Sequence, residues 1–319
     1  MKRILITGGA GFIGSTLADK LLERGDEVVC LDNFSSQYDP RIKRRNINAA
    51  LSHPRYKLYE DDIRQSRRIT DLFTLEKPDI VVHIAGCTGM AASDLQAAEF
   101  HETNVGGTLN VLEACRASGV GRLVFASTAS VYGHTTLPAT EESALPRPLN
   151  TYIATKRLGE HLIRAFAEIH GLQTMVLRLA TVYGPRQRAE MAVTKFTRLI
   201  NEGKPVPVYG NGSAARNYLH IEDCVDGIVL AADQTSGFEI VNLGGRNPTS
   251  LLELIDLLVV CLGKKVAIEY TEAPKEIPDA NCLEIAKARS LLGYEPLVSI
   301  KDGLRRFIRW YLEIGMPKT

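Results

Sequence analysis

The stretch TGGAGFIG, Thr7–Gly14, places four glycines in eight residues. Glycine weakens a strand or helix interior by roughly 0.5–1 kcal/mol relative to alanine, so this density serves something other than local stability. Ahead of it Ile4, Leu5 and Ile6 read as a short strand buried on both faces; behind it Phe12, Ile13, Leu17 and Leu21 recur at helical spacing. The order is strand, glycine turn, helix. Gly9, Gly11 and Gly14 fit GxGxxG, and Gly8, Gly11 and Gly14 equally fit GxxGxxG. A backbone without Cβ atoms can approach a pyrophosphate closely there, and amide N–H groups at the positive end of the helix can bind it.

Such a site needs an acid at the end of the next strand, about 20 residues on, for an adenosine ribose. Glu27-Val28-Val29-Cys30-Leu31-Asp32 supplies it. Alone, Asp32 reads equally well as a loop cap. With the glycines it points to NAD, because a carboxylate accepts hydrogen bonds from the 2′-hydroxyl and repels a 2′-phosphate. Asn33 is a further expected adenosine contact.

The whole chain bounds the partners. Its 319 residues suggest about two domains as a prior, and 38 Lys plus Arg against 37 Asp plus Glu leave no bulk charge to attract nucleic acid or an anionic membrane. Cys30, Cys87, Cys115, Cys224, Cys261 and Cys282 are scattered without a CxxC pair, so neither a metal cluster nor a redox dithiol is expected. Only three apolar residues separate Arg3 from Thr7, too few for a signal-peptide core, and LLELIDLLVVCL carries Glu253 and Asp256, which marks an amphipathic helix and not a membrane span. A cytoplasmic location is the expectation.

Along the chain YKLYE, DIVVHIAG and RLVFAS read as strands, separated by helical stretches at Arg67–Leu75 and Thr103–Arg116; a helix from Tyr152 to His170 then leads to the strand TMVLRL. Alternation of this kind predicts an α/β fold with a doubly wound parallel sheet. Beyond Ala180 the rhythm breaks into "VYGPRQ" and "GKPVPVYGNGS" before helices return at Glu222 and Ser250. We therefore expect residues 1–180 to form the cofactor-binding domain and 181–319 a smaller, mainly substrate-binding domain, with segments near 217–243 returning to the first. His83, in an apolar strand, and His220, at a strand end, are expected to serve packing.

TYIATKRLGEHLIRAF places Tyr152 and Lys156 four apart on one helical face. Alone, such a pair reads as two surface residues. Just after RLVFAS, however, Ser127 to Gly133 delivers hydroxyls to the carboxyl end of a parallel strand, where open α/β sheets bind ligands.

TGGAGFIG, LDNF, DDI, HIAG, TNVGGT, STASVYG, YIATK, VYGPRQ and RNYLHIEDC follow one another in this order. With them the chain resembles, over nearly its whole length, the extended short-chain dehydrogenase/reductase family, specifically its nucleotide-sugar epimerases. The resemblance implies a Rossmann domain that holds NAD, and Thr128, Tyr152 and Lys156 as the catalytic trio. It implies Gly8, Gly11, Phe12, Ile13, Gly14, Asp32, Asn33, Asp62, Ile63, Ala85, Asn104, Tyr152 and Lys156 at the cofactor, Asn104 as support near the active site. A homodimer through the helices around Asn104 and Tyr152 is implied as well. A free tyrosine titrates near ~10, so a neighbouring ammonium and a positive nicotinamide are needed to favour the phenolate that takes a proton from a sugar hydroxyl. Thr128 would steady the alcohol and developing ketone.

The same resemblance narrows the reaction. Dehydratases of the family carry an acidic pair where this chain has Ala129 and Ser130, and sugar decarboxylases an acid where it has Ile153 and Ala154. A UDP-sugar 4-epimerase is the expectation, with a non-catalytic NAD-binding sensor or scaffold as the alternative from another class. Thr128, Thr181, Arg188, Val208 and Arg216 are implied at the substrate, with Tyr209 beside the base and Arg216 on the diphosphate. Thr181 with Arg188, and the segment DNFSSQYDPRIKRRNI, are similar to the UDP-glucuronate branch, in which that pair holds the sugar carboxylate; a forked arginine suits this. The competing reading has Arg188 paired with Glu190 or the diphosphate, and then UDP-glucose or UDP-galactose is the substrate. Two departures stand out: small residues Thr88-Gly89-Met90-Ala91 replace a basic residue common among relatives, and Pro274-Lys275-Glu276-Ile277 replaces an Arg-x-Gly-Asp segment, with Lys275 a substitute cation.

Overall fold

β1 (Arg3–Thr7) pairs in parallel with β2 (Glu27–Leu31) on one side and with β4 (Ile80–His83) on the other. That branching seeds a seven-stranded parallel sheet in a computed structural model that describes residues 1–272 and 281–314. β3 (Tyr56–Tyr59) closes the β2 edge; β5 (Arg122–Thr128), β6 (Gln173–Leu179) and β10 (Phe238–Leu243) extend the β4 side, giving the order β10-β6-β5-β4-β1-β2-β3. The chain leaves β1 toward one edge and returns beyond it to the other. Ligands bind α/β sheets at the carboxyl ends beside such a reversal.

Alternation along β1 explains why both faces are covered. Ile4 and Ile6 face one apolar cluster with Leu17, Leu21 and Val28, while Leu5 faces the other with Ile69, Phe73 and Val111. A third cluster lies outside the sheet, built around Tyr183, Phe196, Leu254 and Phe307. Its frame is a three-stranded sheet, β11 (Pro248–Ser250), β9 (Ala215–His220) and β7 (Thr181–Tyr183), and a two-stranded one, β12 (Ile268–Thr271) with β8 (Val206–Tyr209).

Several features differ from the sequence reading. Helices Ala192–Asn201 and Ile300–Ile314, absent from it, present Val193, Phe196, Ile200, Leu304, Phe307 and Ile308 to the third cluster. The helix expected over Thr103–Arg116 is a wide π turn, Glu102–Gly107, followed by the helix Thr108–Ser118. Gly107 lies so close to Ile63 that a Cβ would come within 2.5 Å of its Cδ1, which fixes this turn against the loop after β3. Among the described residues no helix is long and apolar enough to cross a membrane, no cluster suits a metal ion, and Leu251–Leu262 starts in a capping box between Ser250 and Glu253.

Candidate active site

The turn after β1 is shaped by what its glycines lack. Gly8 has φ +72°, and a Cβ on Gly14 would lie 2.2 Å from the Gly8 carbonyl oxygen. The helix Phe12–Arg24 starts at Gly11 with no side chain capping it, so its first amides are available to an anion. A cradle of this shape fits the pyrophosphate of a dinucleotide. At the end of β2, Asp32 is 4% exposed and accepts from the amides of Ala10 at 3.1 Å and Phe34 at 2.8 Å.

From this turn a cavity of about 1010 Å³ runs along the carboxyl ends of the sheet. It stands at the top of the usual range for small-molecule sites. Gly8, Gly11, Phe12, Ile13 and Gly14 line it with Asp32, Asn33, Ile63 and Ala85, as do Thr128, Tyr152 and Lys156, and Thr181, Arg188 and Arg216.

The helix Thr151–His170, capped by Asn150 on the amide of Ile153, aims Tyr152 at the end of β5. There the Thr128 and Tyr152 side chains both line the cavity, and Thr128 bears on the phenol. Burial raises the Tyr152 phenol, and Thr128 and the charge of Arg188 act against it. Lys156, 4% exposed, donates to the Ala126 carbonyl at 2.9 Å and lies over the Phe125 ring. Burial pulls its ammonium down to about 8, opposed by the charge of Glu160.

Residues 4–244 match the model of the NAD dependent epimerase/dehydratase family. The chain belongs to that family. Among relatives, it is 36% identical over 310 residues to a UDP-glucuronate 4-epimerase of Thermodesulfobacterium geofontis, covering 97% of this chain and 96% of the relative. It is similar to the crystal structure of a UDP-glucuronic acid 4-epimerase from Bacillus cereus in complex with UDP-glucuronic acid and NAD, with a TM-score of 0.92, 32% identity, and 98% and 99% of the two chains covered. A UDP-glucose 4-epimerase from Thermotoga maritima with UDP-glucose gives a TM-score of 0.90 at 32% identity, again covering 98% and 99%.

Three of the residues expected at the ligands, Asn104, Asp62 and Val208, do not line the cavity. Asn104 is 3% exposed and does not line the cavity; its amide exchanges bonds with the Cys87 backbone at 2.7 and 3.1 Å and reaches Thr155 at 3.0 Å. It braces the loop after β4 from behind. Asp62 faces Asn33 and Arg64 while Asp61 and Ile63 line the cavity. Burial pushes the Asp62 carboxyl up, but the Arg64 and Asn33 hydrogen bonds prevail and hold it at about 2. Val208 is fully buried, and its neighbours Pro207 and Tyr209 line the wall instead, as strand alternation requires.

Arg188 pairs with Glu190 at 3.1 Å and lies 5.7 Å from the Tyr38 ring centre. Lys275 and the rest of 273–280 lie outside the described residues, and Thr88 and Gly89 line the cavity. His83 is buried between the hydroxyls of Thr7 and Thr108, and burial lowers it to about 3, so it is neutral near pH 7. His220 ends β9 and accepts from the Glu222 amide at the start of the next helix. Tyr38 and Lys43 also line the cavity, and nothing in their spacing signals it; a helix must fold back to bring them there.

Proposed function

We propose that the chain is an NAD-dependent UDP-sugar 4-epimerase acting on UDP-glucuronate and UDP-galacturonate. The carrying observation is one continuous cavity lined by the glycine turn, by Thr128, Tyr152 and Lys156, and by Thr181, Arg188 and Arg216. Ala129 is buried and Ser130 carries only a hydroxyl, so the positions of a dehydratase's acid pair hold no acid. Membership of the family and the likeness to UDP-glucuronate 4-epimerases support the reading.

NAD, when bound, supplies reversible hydride acceptance. Tyr152, as its phenolate, would take the proton of the sugar 4-hydroxyl at its Oη and give it back to the same oxygen. Thr128 holds the same oxygen by a hydrogen bond, and Lys156 supplies positive charge one helical turn along. Electrons and protons balance over the cycle, so no external redox partner is consumed. Arg188, beside Tyr152, would fork onto the carboxylate and keep a 4-keto uronate from the orientation that loses carbon dioxide.

The Arg188–Glu190 pair favours a second reading, UDP-glucose and UDP-galactose interconversion, because an occupied guanidinium says nothing about the sugar. One experiment separates these, and a non-catalytic sensor from both: purified protein is mixed with each UDP-sugar without added cofactor and the products are followed by NMR. Interconversion of the uronates is expected. Turnover of UDP-glucose alone would move the assignment to the second reading, and no turnover of any sugar to the sensor.

The proposal extends to the organisation. Residues 1–180 hold the cofactor and 181–319 mainly the substrate, with β10 returned to the large sheet. A homodimer through the helices Thr108–Ser118 and Thr151–His170 is supported by the exposed Leu109 and Leu158, and a cytoplasmic location by six free cysteines.

A further inference from the structure

Asp32 and Lys43 meet as a buried pair at the adenosine end of the cavity. They are 4% and 7% exposed, Lys43 Nζ lies 3.0 Å from Asp32 Oδ1, and both line the cavity. Lys43 also reaches the Ser35 hydroxyl at 3.4 Å. The helix Pro40–Ile47 carries it, started by Asp39 on the amide of Arg41, and Asn46 of the same helix donates to the Ala10 carbonyl at 3.3 Å. One short helix thereby clamps both the glycine turn and the acid. None of its residues takes a step in the proposed reaction.

A buried ion pair contributes little net stability, because desolvating two charges offsets their attraction. Its consequence here is for the ligand. Were Asp32 alone, its charge would repel a 2′-phosphate. With an ammonium at 3.0 Å the pair is neutral overall, so exclusion of the phosphate depends on Asp32 occupying Lys43. The nearby cations Arg44 and Arg64 are engaged by Glu60 and Asp62.

We propose that Lys43 is a 2′-phosphate ligand held silent by Asp32, and that the pair, not the acid alone, sets the preference for NAD over NADP. This rests on reading the cavity as a dinucleotide site. Removing Asp32 leaves a buried ammonium and the Ser35 hydroxyl facing the cavity, and a phosphate dianion is the counter-charge that satisfies both.

The test is direct binding of NAD and NADP by calorimetry to protein freed of nucleotide, for wild type, Asp32→Ser and Asp32→Ser/Lys43→Met. Wild type is expected to prefer NAD. Asp32→Ser should bind NADP about tenfold or more tighter than wild type does, and the double variant should lose that gain. Asp32→Asn with its own Lys43→Met partner repeats the comparison should the serine variant not fold. Equal NADP affinity of single and double variants overturns the proposal while leaving the NAD site intact. Wild-type protein that binds neither nucleotide overturns the dinucleotide reading itself, and the proposal with it.

Discussion

Lys156 stands one helical turn from Tyr152, yet its ammonium donates to the backbone carbonyl of Ala126 at 2.9 Å. The lysine is thereby tied to β5, the strand that ends in Thr128. The helix that carries Tyr152 and the strand that ends in Thr128 are joined by this bond.

Tyr152→Phe should reduce turnover by at least about 10²–10⁴-fold, since it removes only the proton-transferring oxygen. Melting temperature and NAD affinity should stay close to wild type. Product NMR beside a thermal melt checks both, and near-normal turnover would end the proposed mechanism.

The Lys156 ammonium, lowered by burial to about 8, has a folded pKa below its unfolded one near 10.5. The native state therefore binds fewer protons than the unfolded state between those values. Stability rises with pH across that window, and below pH 8 the burial cost is present in full, about 3 kcal/mol. Lys156→Met should thus melt no lower than wild type at pH 7, and any advantage should shrink toward pH 10.5. Activity that needs the ammonium should fall as pH rises through about 8, seen in the kcat/KM profile of the wild type.

Arg188→Ala should lower kcat/KM for UDP-glucuronate by about 10- to 100-fold, the worth of a charge-assisted bond, and leave turnover of the neutral sugar far less affected. Glu190→Gln, which frees the guanidinium from a half-exposed pair, should lower KM for the uronate by no more than about fivefold. Steady-state kinetics on both sugars decide it. Equal losses on the two sugars in Arg188→Ala would show that the arginine does not read the carboxylate.

Gly14→Ala places a Cβ 2.2 Å from the Gly8 carbonyl oxygen, a backbone atom that cannot yield without opening the turn. It should cost about 1–3 kcal/mol or more and weaken NAD binding. Gly106→Ala meets nothing within 4 Å and should be tolerated. Thermal melts with and without NAD compare them.

Glu160 accepts from Ser127 at 2.5 Å and from Arg178 at 2.7 Å, and Arg178 donates onward to the Tyr132 hydroxyl at 3.0 Å, all buried under the site. Glu160→Ala leaves the guanidinium unpaired and should cost about 3–5 kcal/mol. Removing both charges in Glu160→Leu/Arg178→Met should recover much of it, as read by denaturant unfolding.

The sequence by itself determined what local periodicity can express. Four glycines between an apolar run and an amphipathic one define the turn after β1, an acid ends the next apolar run, and Tyr152 and Lys156 share a helical face. Val208 is expected at the substrate with Tyr209, but adjacent residues of a strand face opposite sides, and it is Val208 that is buried. What packing across the chain arranges was decided only in the tertiary structure. Asp32 meets Lys43 because a helix eleven residues on folds back over the glycine turn. Asn104 sits in a π turn and braces the loop after β4 from behind. Arg188 lies against Glu190, and Lys156 against Ala126, because a long side chain goes to whichever partner the assembled walls put within reach. Period sets the direction in which a side chain leaves its own element, and only the packing of the other elements sets what it meets there.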